Sequence, residues 1–367
     1  MDCATLGAVS GPAESDLARR LAARTLDLID IASESRNEAE IAAYVEAAVG
    51  EPTWRDGETL WYGGNGDGRP VVVLAGHLDT VPAQDNIPGH RTETDVVGLG
   101  ASDMKAGVAV MIELAQAWGD LRATQDVELT FLFFPREELP ASESALPHFF
   151  ESVPQVHDAE LAILLEPTDC TIQAGCLGNL NARLVFHGVS GHSARPWLAE
   201  NAIERALEGL RPYAELEPRP VEIGGLTFTE VASITRIEGG IATNVIPDRV
   251  EANVNFRYAP DRSPESADAY LRSFLAAGAT YEHDGDSPPA RVVTDSPLVQ
   301  RLRATADLAL EPKQAWTNVA DFTARGIDAV NFGPGATRYA HRRDERVEIA
   351  ALVKAYTSLW AFLTGSV

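Results

Sequence analysis

Cysteine is scarce in this sequence: Cys3, Cys170 and Cys176 are the only three in 367 residues. The count is odd and no Cys-x-x-Cys pair occurs, which argues against a disulfide scaffold and fits a reducing compartment. Basic residues are also in short supply, 30 Lys and Arg against 54 Asp and Glu, for a formal net charge of -24. That balance argues against nucleic acid and anionic membranes as partners. An acidic substrate would need local positive charge, from a metal or from a few placed arginines. No run of roughly 18 apolar residues exists that could span a bilayer. Low-complexity tracts and solenoid-period repeats are missing too. The N-terminus has no basic-then-apolar export pattern, so the cytoplasm is the expected location.

What is present is organised around 71–82, Val-Val-Val-Leu-Ala-Gly-His-Leu-Asp-Thr-Val-Pro. A short apolar run bounded by glycine and proline reads as a buried strand of a parallel sheet. Side chains alternate along a strand, so His77 and Asp79 point the same way. They would lie at the carboxyl end of a core strand, where open α/β sheets keep their ligand sites. Alone, the pair could equally be a core histidine held by a carboxylate.

Two more apolar strands end in acids: 126–135 runs into Arg136-Glu137-Glu138, and 161–165 into Glu166-Pro167-Thr168-Asp169. Between them and the His77 strand lies Gly98-Leu-Gly-Ala-Ser-Asp103-Met-Lys-Ala-Gly107, a tight loop with a helix expected from Asp103. By itself Asp103 reads as an N-cap, worth about 1 kcal/mol. Helices are also expected at 14–31 and 38–49, and a strand pair at 54–62 before a turn at 63–68. Strands alternating with helices imply a mixed, mostly parallel sheet with helices on both faces.

After about residue 178 the style changes to α+β. Alternating strands are expected at 181–188, 228–239 and 249–258, with helices at 201–213 and 264–277. Pro-rich turns or edges mark 217–220 and 287–290. The α/β style then returns with a helix at 297–310, a strand at 329–332, the loop Gly333-Pro-Gly335, His341 and a last helix at 349–363. The expected organisation is a catalytic domain in two parts, 1–177 and 291–367, with an inserted α+β dimerisation or lid domain at 178–290.

The candidate ligands are therefore His77, Asp103, Glu138, Glu166 and His341. They offer imidazole and carboxylate, which suit zinc and also cobalt or manganese. With one carboxylate bridging, five such ligands could hold two ions roughly 3.5–4 Å apart.

Taken together, GHLDTVP, GLGASDMKAG, PREEL, LEPTD and AHRRDE resemble, in order, the motifs of the dinuclear zinc amidohydrolase and exopeptidase family. That family includes succinyl-diaminopimelate desuccinylases, acetylornithine deacetylases, aminoacylases and carboxypeptidase G. The pattern is nearest the actinobacterial desuccinylases. The resemblance implies that His77 and Glu166 hold one metal, Glu138 and His341 the other, and Asp103 bridges them. It also implies a cis peptide at Asp103-Met104. Asp79 would orient His77. Glu137 would be the general base, taking a proton from water and returning it to the leaving amine. His192 in Gly-His-Ser-Ala-Arg-Pro would stabilise the oxyanion. Asn244, Arg257, Gly333 and Gly335 would contact substrate, with Arg257 suited to a carboxylate. The implied reaction is hydrolysis of a small N-acyl amino acid by a homodimer joined through the inserted domain. N-succinyl-LL-2,6-diaminopimelate is the leading substrate. The alternatives are an acetylornithine deacetylase, aminoacylase or dipeptidase, and a non-catalytic binding paralogue. Asn318 and Asp321 stand where the family usually has aspartate and arginine, and Cys176 where some members have arginine.

Overall fold

The computed structural model describes residues 14–64, 68–119 and 125–365; Cys3 and part of the expected 63–68 turn lie outside them. The chain divides into two compact units, 1–174 with 293–311 and 321–367, and 175–292 with 312–320. The stretch 312–320 was expected with the catalytic part that begins at 291, but it groups with the second unit. There the Thr229 N–H donates to Gln314 Oε1 at 3.3 Å and Trp316 Nε1 donates to the Pro288 carbonyl at 2.9 Å.

The first unit is built on an eight-stranded sheet. Its order is Trp54–Asp56, Thr59–Tyr62, Glu128–Phe134, Val71–His77, Ala159–Leu164, Asp328–Asn331, Ile172–Ala174 and Leu310–Pro312. The four central strands from Glu128–Phe134 to Asp328–Asn331 run parallel. Thr59–Tyr62 and Ile172–Ala174 flank them in antiparallel pairing. Every residue of Glu128–Phe134 and all of Val71–His77 after the first are buried. A strand buried on both faces reads as a continuous apolar run because helices cover both sides. Helices Glu14–Asp30, Lys105–Trp118 and Ile349–Thr364 pack on one another, and Pro297–Ala306 packs on the last. The short helix Leu146–Ser152, which no periodicity announced, sets Phe149 against Trp54 and Trp61.

The second unit is a five-stranded antiparallel sheet, ordered Arg219–Ile223, Leu226–Gly239, Arg249–Tyr258, Gly178–His187 and Ala279–Ser287. Its strands alternate. Leu180, Ala182, Leu184, Val254 and Phe256 pack against Ala206, Leu210, Tyr213 and Leu271 from helices Ala202–Ala214 and Pro264–Arg272. Asn179, Asn181, Asn253, Asn255 and Arg257 are partly exposed on the alternate positions. The segment 217–220 proves to be the entry to an edge strand, where a proline costs no ladder hydrogen bond. The helix expected to reach 277 ends at Arg272, and Ala279–Ser287 is a strand that its polar composition had hidden. Among the described residues no helix is long and apolar enough to cross a membrane.

Candidate metal centre

The parallel strands of the first unit finish at one edge. Past their last residues the ladder continues: Leu78 N–H donates to Phe134 O, Leu165 N–H to Ala75 O, and Phe332 N–H to Leu164 O, at 2.8–2.9 Å. His77, the Glu137-Glu138 pair, Glu166 and the 333–335 loop are thereby delivered to the same place.

Asp103 is not a helix cap. The helix starts at Lys105, its N-cap position is Met104, and no side chain caps it. The Asp103-Met104 peptide is cis. The Asp103 carboxylate instead lies between two imidazoles: Oδ1 is 3.2 Å from His77 Nε2, and Oδ2 is 3.6 Å from His341 Nε2. His77 Nε2 also lies 3.9 Å from Glu166 Oε1, and His341 Nε2 lies 2.8 Å from Glu138 Oε1. Three overlapping groups have donor atoms within 4.8 Å of one another: His77, Asp103 and Glu166; Asp103, Glu138 and His341; and His77, Glu137 and Glu138.

Asp79 is buried beside this cluster. Its Oδ1 accepts the Glu137 N–H at 2.9 Å. Its Oδ2 accepts the Glu138 N–H at 3.0 Å and the Ser35 hydroxyl at 2.7 Å. The His77 ring is closer to the Asp79 main chain than to its carboxylate: Nδ1 is 3.0 Å from Asp79 O and 3.6 Å from Oδ1. A proton on Nδ1 shared with that carbonyl leaves Nε2 for the cluster, as metal-bound imidazoles require. Asp79 thus shapes the Glu137-Glu138 turn at least as much as it orients the ring.

The electrostatics call for positive charge. Burial works against a charged His77, yet its bonds to Asp103 and Asp79, with Glu137 nearby, raise its pKa well above the ordinary value. The Glu138 carboxylate raises His341 to about 9. Burial, and then Glu166, Glu138 and Asp103, push Glu137 well up against the pull of His77. Each imidazole thus holds, against a carboxylate, a proton whose place a cation can take. A donor set of nitrogen and carboxylate oxygen, with Asp103 shared by two triads, fits borderline divalent cations.

Gly333 and Gly335 close the edge by near approach of backbones. A Cβ at 333 would lie 2.3 Å from Leu165 O and 2.5 Å from Glu166 O, and one at 335 would lie 2.1 Å from Ser102 O. Their observed role is this packing against the backbone next to Glu166 and Asp103.

The other expected contacts, His192, Asn244 and Arg257, belong to the second unit. His192 is exposed on a two-residue strand paired with Val245–Ile246, and its Nδ1 accepts the Ala194 N–H at 3.1 Å. The Asn244 carbonyl accepts the Ser193 N–H at 3.0 Å. Arg257 donates from Nε to Asn255 Oδ1 at 3.1 Å, and Asn255 donates onward to Asn179 Oδ1 at 2.7 Å. Asn318 is buried, Arg325 Nη1 donates to the Asp321 carbonyl at 2.8 Å, and the Cys176 thiol donates to the Thr317 carbonyl at 3.7 Å.

Residues 73–364 match the profile of peptidase family M20/M25/M40. The chain belongs to this family. It is accordingly a metal-dependent amidohydrolase. It is 34% identical over 359 residues to the succinyl-diaminopimelate desuccinylase of Corynebacterium glutamicum, covering 91% of this chain and 95% of that one. It is 39% identical over 347 residues to a Mycobacterium tuberculosis protein with a provisional desuccinylase name, covering 93% of this chain and 97% of that one. A tripeptidase from Staphylococcus aureus shares the fold at a TM-score of 0.76 and 19% identity, over 95% of this chain and 98% of its own.

One M20-type motif held a residue to which sequence reasoning gave no role. Glu345, the last letter of AHRRDE, is buried and bonded to the Asp103 loop. The only sequence signal was its place four residues after His341.

Proposed function

We propose that the protein hydrolyses the amide of N-succinyl-LL-2,6-diaminopimelate, giving LL-2,6-diaminopimelate and succinate, with two divalent cations, zinc in the first instance and cobalt or manganese as substitutes. The observation that carries the two-cation chemistry is the pair of donor triads sharing Asp103, whose two oxygens face two different imidazoles. His77 and Glu166 would hold one ion, Glu138 and His341 the other, and Asp103 both. When bound, such ions polarise a carbonyl and acidify water.

Glu137 is the proton carrier. One of its carboxylate oxygens lies within 4.8 Å of donor atoms of His77 and Glu138, where it would take a proton from water and return it to the departing amine. Asp79 fixes where it stands by binding the amides of residues 137 and 138. His192 would donate to the developing oxyanion. Asn244 would contact the substrate, and Arg257, with its Nε held by Asn255, would offer its remaining donors to a substrate carboxylate. Gly333 and Gly335 would let substrate approach the loop backbone. The similarity to the Corynebacterium enzyme supports the succinyl substrate.

A second reading is an N-acetylornithine deacetylase or aminoacylase-like activity, favoured by Asn318 and Asp321 where two charges usually stand. The deciding experiment is a panel of N-succinyl, N-acetyl and dipeptide substrates compared by kcat/KM with a chelated control. Succinate release should dominate. Good turnover of an acetyl or peptide substrate with no succinate release would reject the substrate assignment and leave the chemistry standing.

A cytoplasmic homodimer through the second unit completes the proposal. Trp197 is 76% and Ile241 88% exposed there, with Leu198, Leu207 and Ile237 also uncovered. Sedimentation should give a dimer, and Trp197→Glu should weaken it.

A further inference from the structure

We infer that Glu345 is a positioning residue that holds the Asp103 loop in register with the His341 loop and so sets the affinity of the metal centre. The inference rests on the proposed bridging role of Asp103.

The segment 98–103 forms no regular structure, so its buried amides must find partners elsewhere. Leu99 N–H goes to Asn86 O at 3.1 Å, and Ala101 N–H goes to Gly98 O at 3.1 Å. The remaining four converge on one residue. Glu345 Oε2 accepts Gly100 N–H, Glu345 Oε1 accepts both Ser102 and Asp103 N–H, and the Glu345 carbonyl accepts Gly98 N–H, all at 2.9 Å.

Glu345 is also a junction in the chain. Immediately after it, Arg346–Glu348 pairs with Asp95–Val97, the strand that leads into the Asp103 loop. Immediately before it lies the turn that carries His341, a residue at positive φ, with the Glu345 N–H bonded to Arg342 O at 3.2 Å. One side chain therefore ties together the two segments that supply Asp103 Oδ2 and His341 Nε2.

The bond pattern also defines the test. A carboxylate accepts on both oxygens, whereas a glutamine presents an NH2 group on one side. In E345Q that group must face either Gly100 N–H or the Ser102 and Asp103 N–H pair, donor against donor. Zn²⁺ alone is titrated into metal-free wild type, E345Q, E345D and D103N against a chromophoric chelator, and thermal unfolding of each metal-free protein is followed in parallel.

We expect wild type to bind two ions and D103N to lose the pair. E345Q should bind at least one ion about 10- to 100-fold more weakly, the range for groups that orient metal ligands. E345D, which keeps the charge with one methylene fewer, should fall between them, and it carries the comparison if E345Q does not fold. Wild-type affinities in a folded E345Q or E345D overturn the inference, including the case in which unfolding temperature falls but affinity does not. Wild-type affinities in D103N instead reject the bridging role itself, and the inference with it.

Discussion

Glu230, buried, and Glu137, half-buried, are glutamates in different units, and their environments push them in opposite directions. Glu230, on the sheet of the second unit, is buried, yet Arg219 Nε donates to it at 2.6 Å, Arg262 Nε at 2.8 Å and the Ala259 N–H at 3.0 Å. Burial raises its pKa, and these donors more than reverse the effect, leaving it below the ordinary value. Glu137 is raised by burial and raised again by Glu166, Glu138 and Asp103, against one imidazole. Where a buried carboxylate is structural, the chain brings arginines to it. At the edge of the parallel sheet it gathers carboxylates and imidazoles instead. That arrangement costs stability unless cations arrive from outside, which is how a binding site differs from a structural ion pair.

The largest effect that would test this contrast is on rate. Glu137→Gln should lower kcat by about 10²- to 10⁴-fold, the usual worth of a positioned general base, with zinc binding retained. Glu230→Gln, assayed alongside, should leave kcat unchanged. A Glu137→Gln enzyme of normal rate would break the contrast.

Next is stability toward metal. Chelation should abolish turnover and lower the unfolding temperature. The stabilisation lost is about 4 kcal/mol if free metal had stood roughly 1,000-fold above its Kd. Calorimetry with and without chelator measures it, and restored zinc should reverse it.

Asp79→Asn should come third. The amide presents a donor toward the Glu137 or Glu138 N–H, so about 1–3 kcal/mol should be lost in denaturant unfolding as buried donors go unpaired. Metal affinity should fall as well, because the turn carrying Glu138 loosens.

The smallest effect belongs to Glu230. Its folded pKa is depressed, so its contribution is full above the ordinary carboxylate range and is lost as pH falls through the lower folded value. Glu230→Gln should therefore be less stable at pH 7 by about 1–2 kcal/mol, a figure reduced from that of a fully buried pair because Arg219 is partly exposed. The gap to wild type should close as the solution is acidified. A gap independent of pH would show that packing, not charge, holds this corner.

The parts of the fold that could be read from sequence are those that follow local rules. Apolar runs of core-strand length placed His77, Glu138 and Glu166 at strand ends, and the structure puts them at one sheet edge with Asp103 and His341. The change to alternating strands marked the second style of architecture. Elements that break such rules were missed. Ala279–Ser287 is a strand written in polar residues, and 312–320 leaves its neighbours in sequence to pack with the second unit. The helix after Asp103 begins two residues late, with Met104 outside helical angles and the aspartate facing the histidines instead of capping it. Glu345 escaped notice for another reason. Its side chain binds main-chain amides more than 240 positions away, and amides carry no sequence signature.

The closeness of residue 335 to the Ser102 carbonyl has a consequence for how this sequence can drift. Even alanine, the smallest departure from glycine, would put a carbon 2.1 Å from that oxygen, inside any tolerable contact. The neighbour is backbone and has no rotamer by which to yield. A saturation library at 335, selected for function, should return glycine nearly alone, however freely the exposed loops around it vary.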